Sequence, residues 1–481
     1  MTIIVNPDHD PINPGTTTPT GSLSAARSWC LGSWYQGNYP AVVTFHEDRL
    51  VFAGAPQLPQ RIDASCTSQY TVFSPSALLD ATQAANNAYG LNINSNTINA
   101  IRWLQSDSHG LLIGTAGAEW LLAPATIGQA ISSTNAVAQQ SSLYGSVQVP
   151  PLRVGQECVF VQAGGKRIRS LKYDFYTNGF IGPDISVLAE HLTAGGVTQL
   201  ALQRTPQQIL WGVRAFGTLV SISYDRDQDE EGWSYHVLGG ENVKVLSIAC
   251  IPSTDNSRDE LWLAVQRTIN GQTVCYVERM TKLWEIGDSA PYSLNGGTAY
   301  RFVPNLTTYL DSSVNVLFGS PVTTITGLSW LEGETVSVLA DSATHPDCVV
   351  SGGSITLQRS ALDVNIGLNY VSRGQTMPLE SGGGEGPAQG KIKRIHRVIM
   401  NLYDTLGLQV QAGNVNATVN DESFRSTNDL MDQPPPLFNG SFPIAWEGTY
   451  ERDSYVIWEQ TQPLPSNIAG IAIELETQDG G

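Results

Sequence analysis

The residues best placed to do chemistry in this 481-residue chain are carboxylates, and the densest run of them is Asp225, Asp227, Asp229, Glu230 and Glu231. Glycan hydrolysis needs two carboxyl groups held about 5–10 Å apart, and no second acidic segment of this density pairs with the run in sequence. The spacing Asp225-x-Asp227-x-Asp229 suits Ca²⁺ superficially. It lacks the Gly at the sixth and the Glu at the twelfth position of an EF-hand loop, which fall at Glu230 and His236. The run therefore reads as a solvated hairpin tip, with Asp225, Asp227 and Asp229 kept as a weak Ca²⁺ candidate.

Other catalytic patterns fail on inspection. Ser223-Tyr224-Asp225 starts like the Asp box of sialidases, yet Trp233 comes too late to supply its aromatic. His46-Glu47 lacks the second His of a zinc-protease helix. No nucleophile elbow, phosphate loop or dinucleotide fingerprint occurs. His191, His236 and His396 each stand alone among apolar segments and read as satisfied sheet residues. The expectation is a protein without catalytic residues or cofactors.

The one cluster that could touch phosphate is Lys391, Lys393, Arg394, His396 and Arg397. Strand alternation does not bring these side chains cleanly to one face, so a half-exposed strand or a subunit interface through Lys391, Lys393, Arg394 and Arg397 is expected. The net charge of −18 argues against a nucleic-acid-binding surface. Beyond Asn401 about twelve carboxylates face only Arg425 and Arg452. Like charge suits a conduit that DNA passes without sticking.

The elements that would position these residues are strands. Charged residues are 15% of the chain and 46 residues are Gly, a composition that favours turn-rich sheets over helices. Hairpins of one design recur at 49–65, 111–124, 158–174, 209–225 and 260–280, about 50 residues apart, near the period of propeller blades. The clearest closes on Asn270-Gly271, a pair that tolerates the positive φ of a two-residue turn. Flanking strands at 197–203, 232–240, 245–252 and 283–287 extend two units to four strands, as blades require. Trp103, Trp120, Trp211, Trp233, Trp262 and Trp284 all fall inside these units and read as filling between stacked blades.

The fold class expected is all-β: a β-propeller of about five to six blades, open to being incomplete, followed by small C-terminal β-barrel or sandwich domains. The boundaries follow composition: an extended Pro/Thr/Ser-rich arm over 1–38, the propeller over 39–300, a small barrel-like domain over 301–380, a flexible linker, and an acidic β domain over 391–481. A short helix is expected at Ser76–Ala85. The six cysteines lie far apart and read as buried reduced thiols. No apolar run is long enough for a membrane span and no signal peptide opens the chain, so a soluble protein made in the cytosol is expected.

Long phrases carry a family resemblance: YPAVVTFHEDRLVFAG (39–54), INAIRWL (98–104), QQSSLYGS (139–146), the stretch from VLAEHLTAGG to SYHVLGG (187–240), DELWLAVQRTINGQTVCYVERM (259–280) and GLSWLEGETVSVLADSATHPDCVVSGGSITL (327–357). Over residues 39 to 400 the chain resembles the nozzle, or tail tubular, proteins of short-tailed bacteriophages. The resemblance implies a virion protein forming a hexameric tube beyond the portal and its adaptor, through which the genome leaves, with tail fibres, spikes or a needle as further partners and no membrane insertion. The longer N-terminal region of many relatives has no counterpart before the first blade, so the arm is expected to pack with the C-terminal domain or a neighbour. Two other readings stay open: a receptor- or glycan-binding propeller at the tail tip, and a tail-associated glycan hydrolase.

Overall fold

A computed structural model of the chain describes residues 34–75, 84–126, 128–282, 289–294, 297–303, 307–380, 382–383, 386–387, 390–412, 419–422, 424–425, 427, 429, 434–444, 446 and 449–478. The arm before Trp34, most of the expected helix at Ser76–Ala85, the strand at 283–287 with Trp284, and Cys30 lie outside the described residues. The described regular structure is almost entirely antiparallel β. It divides into two compact units, 1–235 with 247–250 and 254–259, and 236–246 with 251–253 and 260–481. The expected propeller range of 39–300 spans the boundary between them.

The first unit is a propeller-type stack of four sheets, each built from four successive strands in chain order. The first blade is β1 (Val42–His46), β2 (Arg49–Ala55), β3 (Leu58–Ala64) and β4 (Tyr89–Asn92). The second is β5 (Ile101–Asp107), β6 (Gly110–Thr115), β7 (Glu119–Pro124) and β8 (Ala136–Ser142). The third is β9 (Leu152–Val154), β10 (Glu157–Val161), β11 (Ile168–Asp174) and β12 (Gly179–Ile181). The fourth is β13 (Val197–Gln203), β14 (Ile209–Arg214), β15 (Leu219–Asp225) and β16 (Glu230–His236).

Apolar side chains fill the gaps between successive blades, which is why the middle strands read as near-continuous hydrophobic runs. Val51, Ile62, Ile113 and Trp120 join the first two blades. Trp103, Leu112, Phe160 and Leu171 join the second and third, and Val159, Ile168, Leu210 and Ile222 the third and fourth. β14 and β15 are therefore buried on both faces: Ser221 is buried beside Val220, Ile222 and Tyr224, where simple alternation predicts one buried face. Trp103, Trp120 and Trp211 are buried, and Trp233 and Trp262 half-buried. The Trp103 ring lies where β6 supplies no side chain: a Cβ on Gly114 would sit 2.0 Å from its Cε2.

The second unit carries the fifth hairpin. β17 (Glu241–Pro252), β18 (Asp259–Ile269) and β19 (Gln272–Arg279) form a three-stranded sheet. Asn270 (φ 47°) and Gly271 (φ 72°) close β18 onto β19 as the sequence predicts. β20 (Ala290–Leu294) and β21 (Gly297–Arg301) follow as a hairpin. β22 (Asp311–Thr326), β23 (Thr335–Ala340), β24 (Ala343–Val349) and β25 (Ser354–Leu368) make a sheet in the order β22-β25-β23-β24. Ile269, Val274 and Tyr276 of the fifth hairpin pack into the core of that sheet, against Ile325, Val338 and Ile366 among others.

The chain ends in a two-sheet sandwich. β26 (Ser372–Gln375), β30 (Leu408–Ala412), β31 (Val419–Glu422) and β33 (Val456–Gln460) form one layer, and β29 (Ile392–Thr405), β32 (Phe438–Ile444) and β34 (Ile468–Gln478) the other. The minimal pair β27 (Gly382–Gly383) and β28 (Gly386–Pro387) lies within the expected linker. Val398, Met400, Val410 and Val456 pack between the layers.

Candidate functional site

The acidic run sits where β15 ends. After Asp225 the chain makes one 3₁₀ turn, Arg226–Gln228, and re-enters the sheet as β16 after Asp229, whose φ of 52° completes the reversal. Asp225 Oδ1 accepts the Gln228 N–H at 3.3 Å, a local turn bond. Asp229, Glu230 and Glu231 are exposed. Among the described residues no group of three His, Cys, Asp or Glu side chains is arranged to hold a metal ion. The fourth blade thus places Asp225, Asp227 and Asp229 in one tip, and adding Ca²⁺ is expected to leave the melting temperature unchanged, as a thermal scan with and without millimolar Ca²⁺ checks.

The base in this tip points inward. Arg226 Nε lies 3.4 Å and Lys172 Nζ 3.7 Å from Oε1 of Glu157, a buried carboxylate at the start of β10. Its other oxygen accepts the Tyr224 hydroxyl at 2.5 Å and the Ser170 hydroxyl. Burial, then the bond to Glu157, raises the Tyr224 phenol above its ordinary value. Glu157 therefore ties the third blade to the fourth, through Tyr224 at a separation of 67 residues and through Arg226.

A second buried carboxylate has the same role one blade earlier. Glu119, fully buried in β7, accepts the hydroxyls of Ser142 (2.5 Å) and Ser146 (2.8 Å) and the Tyr144 N–H (3.3 Å). The QQSSLYGS run is thus the donor set that fastens the connector from the second blade to the third. Neither carboxylate was singled out by sequence reasoning; the available signal was an acidic residue at the head of an apolar strand, ahead of WLL and CVFV.

The basic strand is neutralised within its own sandwich. β29 runs antiparallel to β34 with Arg394 opposite Glu476 and Arg397 opposite Glu474. His396 Nε2 lies 3.0 Å from Glu476, and Arg397 3.8 Å from Glu474. Arg394 covers the Tyr450 ring at 5.4 Å, and Lys391 is half-buried. The strand is half-exposed as expected, but Lys393 does not fit the expected interface: it is buried, its ammonium donating to Leu379 O at 2.7 Å beside Glu380 at 3.3 Å. The register shift between Ile395 and Arg397 moves the buried positions from 393 and 395 to 398, 400 and 402. That bulge is why no single alternation fits the cluster.

The remaining titratable residues differ among themselves. His236 is held down at about 4 by burial, and burial also lowers His46, whose Nδ1 lies 2.9 Å from Ser106 Oγ. His191 is exposed, in the connector before β13 and not in a strand. Of the cysteines, Cys158 is buried and its thiol strongly raised. Cys66, Cys250 and Cys348 are half-buried, while Cys275 is exposed on the outer side of β19, against the expectation that all would be buried.

Comparison with known proteins finds only distant likeness. No protein-family profile matches the chain, and no curated protein matches it. Among solved structures, human WBSCR16 aligns at 9% identity with a TM-score of 0.30, covering 51% of this chain and 64% of that one. The exo-β-1,3-galactanase of Phanerochaete chrysosporium, solved with β-1,3-galactotriose, aligns at 8% identity and a TM-score of 0.26 over 92% of this chain and 97% of that one. A protein from Lactobacillus plantarum aligns at 9% identity and 0.28 over 68% and 87%. At these scores none of them bears on what this chain does, and the description rests on its own sheets: an all-β chain of successive four-stranded antiparallel blades followed by sheet-on-sheet packing.

Proposed function

We propose that this chain is a non-catalytic wall subunit of a short-tailed phage tail, of the nozzle type, assembling as a hexameric ring beyond the adaptor of the head-to-tail connector. The phrase-level resemblance over residues 39 to 400 suggests the role. The observation that carries it is the use made of the buried acids: Glu119 and Glu157, the carboxylates best shielded in the blade stack, are saturated by hydroxyl, amide and cationic partners that fasten one blade to the next. A carboxylate so occupied braces a wall and is poorly placed to act as general acid or nucleophile. The acidic excess beyond Asn401, repeated by cyclic symmetry, would give a lumen that repels DNA.

The decisive experiment is cryo-EM of the assembled tail with this chain located in it. A sixfold ring with an acidic channel is expected; a monomeric peripheral position or a basic groove would overturn the reading. A receptor- or glycan-binding propeller at the tail tip is the second reading, favoured by Phe175 and Tyr176 in the β11–β12 turn, which are 83% and 96% exposed. Exposed aromatic faces of this kind suit sugar rings, and specific signal on a glycan array that vanishes when both are replaced by alanine would move the assignment there. Release of reducing sugar would support the hydrolase reading.

A further inference from the structure

The link between β16 and β17, ending in Leu238-Gly239-Gly240, is gripped at one residue inside the second unit. Gly239 N–H donates to Asp311 Oδ2 at 2.6 Å, and Gly239 O accepts from Arg267 Nε at 2.9 Å. The grip tolerates no side chain, since a Cβ on Gly239 would lie 2.5 Å from the Asn369 carbonyl oxygen. Asp311 opens β22 and Arg267 lies in β18, so two strands of different sheets hold the two backbone polar groups of one glycine. Arg267 is fully buried and paired with Glu278 of β19.

We infer that Gly239 is a proton-linked hinge, closed while Asp311 and Arg267 hold its N–H and C=O and opening with release of a proton from Asp311. The groups facing Asp311 are Arg267, Glu278 and Tyr370. Burial raises Asp311 most, the Gly239 N–H and Arg267 pull it down and Glu278 raises it, leaving it at about 6. Tyr370 is itself raised, by burial first and then by Asp311, so it is a neutral neighbour near pH 7.

The sign follows from linkage. Once the link opens, water reaches Asp311 and its affinity for a proton falls to that of an ordinary aspartate, about 4. The closed form thus binds the proton more tightly than the open form. Its advantage is fully present below pH about 4 and declines as pH rises to about 6. From pH 5 to pH 7.5 the opening equilibrium should rise about tenfold.

Hydrogen exchange of the full chain, read by mass spectrometry on peptides spanning 236–242 and corrected for the intrinsic pH dependence of exchange, tests this directly. Wild-type protein should show the tenfold rise, with no comparable rise in peptides from Val336–Ala340. Asp311→Asn keeps an oxygen acceptor for Gly239 but cannot titrate, and its profile should be flat. Corrected exchange independent of pH in the wild type, or an equal slope in Asp311→Asn, would overturn the inference. The wild-type profile decides even where the variant does not fold.

Discussion

Replacing Gly114 by alanine is expected to destabilise the propeller unit by about 3 kcal/mol, the upper end of the range for overpacking a closed core. The added methyl would lie 2.0, 2.3 and 2.5 Å from Cε2, Nε1 and Cζ2 of Trp103, well inside any real carbon contact. A flexible side chain could swing away. Trp103 cannot, because it is 2% exposed and its ring is packed by Leu112, Cys158, Phe160 and Leu171 across the interface of the second and third blades. Either the indole leaves its site or the central strands separate.

For a unit of this size 1 kcal/mol corresponds to about 2–4 °C, so the first thermal transition should fall by about 6–12 °C. Trp103→Leu alone should also destabilise, by loss of ring contacts. In that background Gly114→Ala should cost much less than it does alone, the signature of two positions that share one space. A melting temperature unchanged within a degree in Gly114→Ala would show that the ring does not occupy the glycine's place.

What was legible in the sequence was whatever local geometry dictates. The Asn270-Gly271 turn and the strand pair around it follow from rules acting over a few residues, and the structure has them where expected. The fifth hairpin shows where those rules stop. Its pattern matches the other four, but β18 runs 11 residues, and its far end carries Ile269 into the core of the β22–β25 sheet. Hairpin periodicity records that a unit exists and says nothing about which core receives it.

The bracing acids escaped for a related reason. Glu157 meets Ser170 and Tyr224 at separations of 13 and 67 residues, so nothing near it in sequence marks it as buried. The basic strand resisted a single alternation because the bulge at His396 changes phase halfway, so that Lys393 and Ile395 are buried before it and Val398 and Met400 after it. In each case the deciding contact is made across sheets, where one sequence without its partners in space gives no register.

Arg49 supplies the other large effect, and it shows how a charge can sit on the buried side of a strand. In RLVFAGA the buried positions are 49, 51, 53 and 55, so the strand's own alternation turns the Arg49 guanidinium inward, where it is 2% exposed. Nη1 donates to Ser65 O (2.6 Å) and Asn87 O (2.7 Å), Nη2 donates to Ala85 O (2.6 Å), and the guanidinium carbon lies 5.3 Å from the centre of the Tyr89 ring. Three carbonyls from the two ends of the β3–β4 connection thus depend on one side chain.

Arg49→Met preserves the aliphatic stem and removes every donor. Each stranded carbonyl costs about 1–3 kcal/mol, partly offset because a desolvated cation is also removed, for a net loss of about 3–5 kcal/mol. Arg49→Lys should fall between variant and wild type, since an ammonium is a point donor and cannot reproduce the planar fork that serves carbonyls in two directions. Limited proteolysis separates this from a general loss of packing: the first new cleavage should fall between Ser65 and Tyr89, ahead of any cut in the later blades. Equal proteolysis and equal melting in Arg49→Met and wild type would mean that water satisfies these carbonyls as well as the guanidinium does, and the first blade would then be held by its apolar face alone.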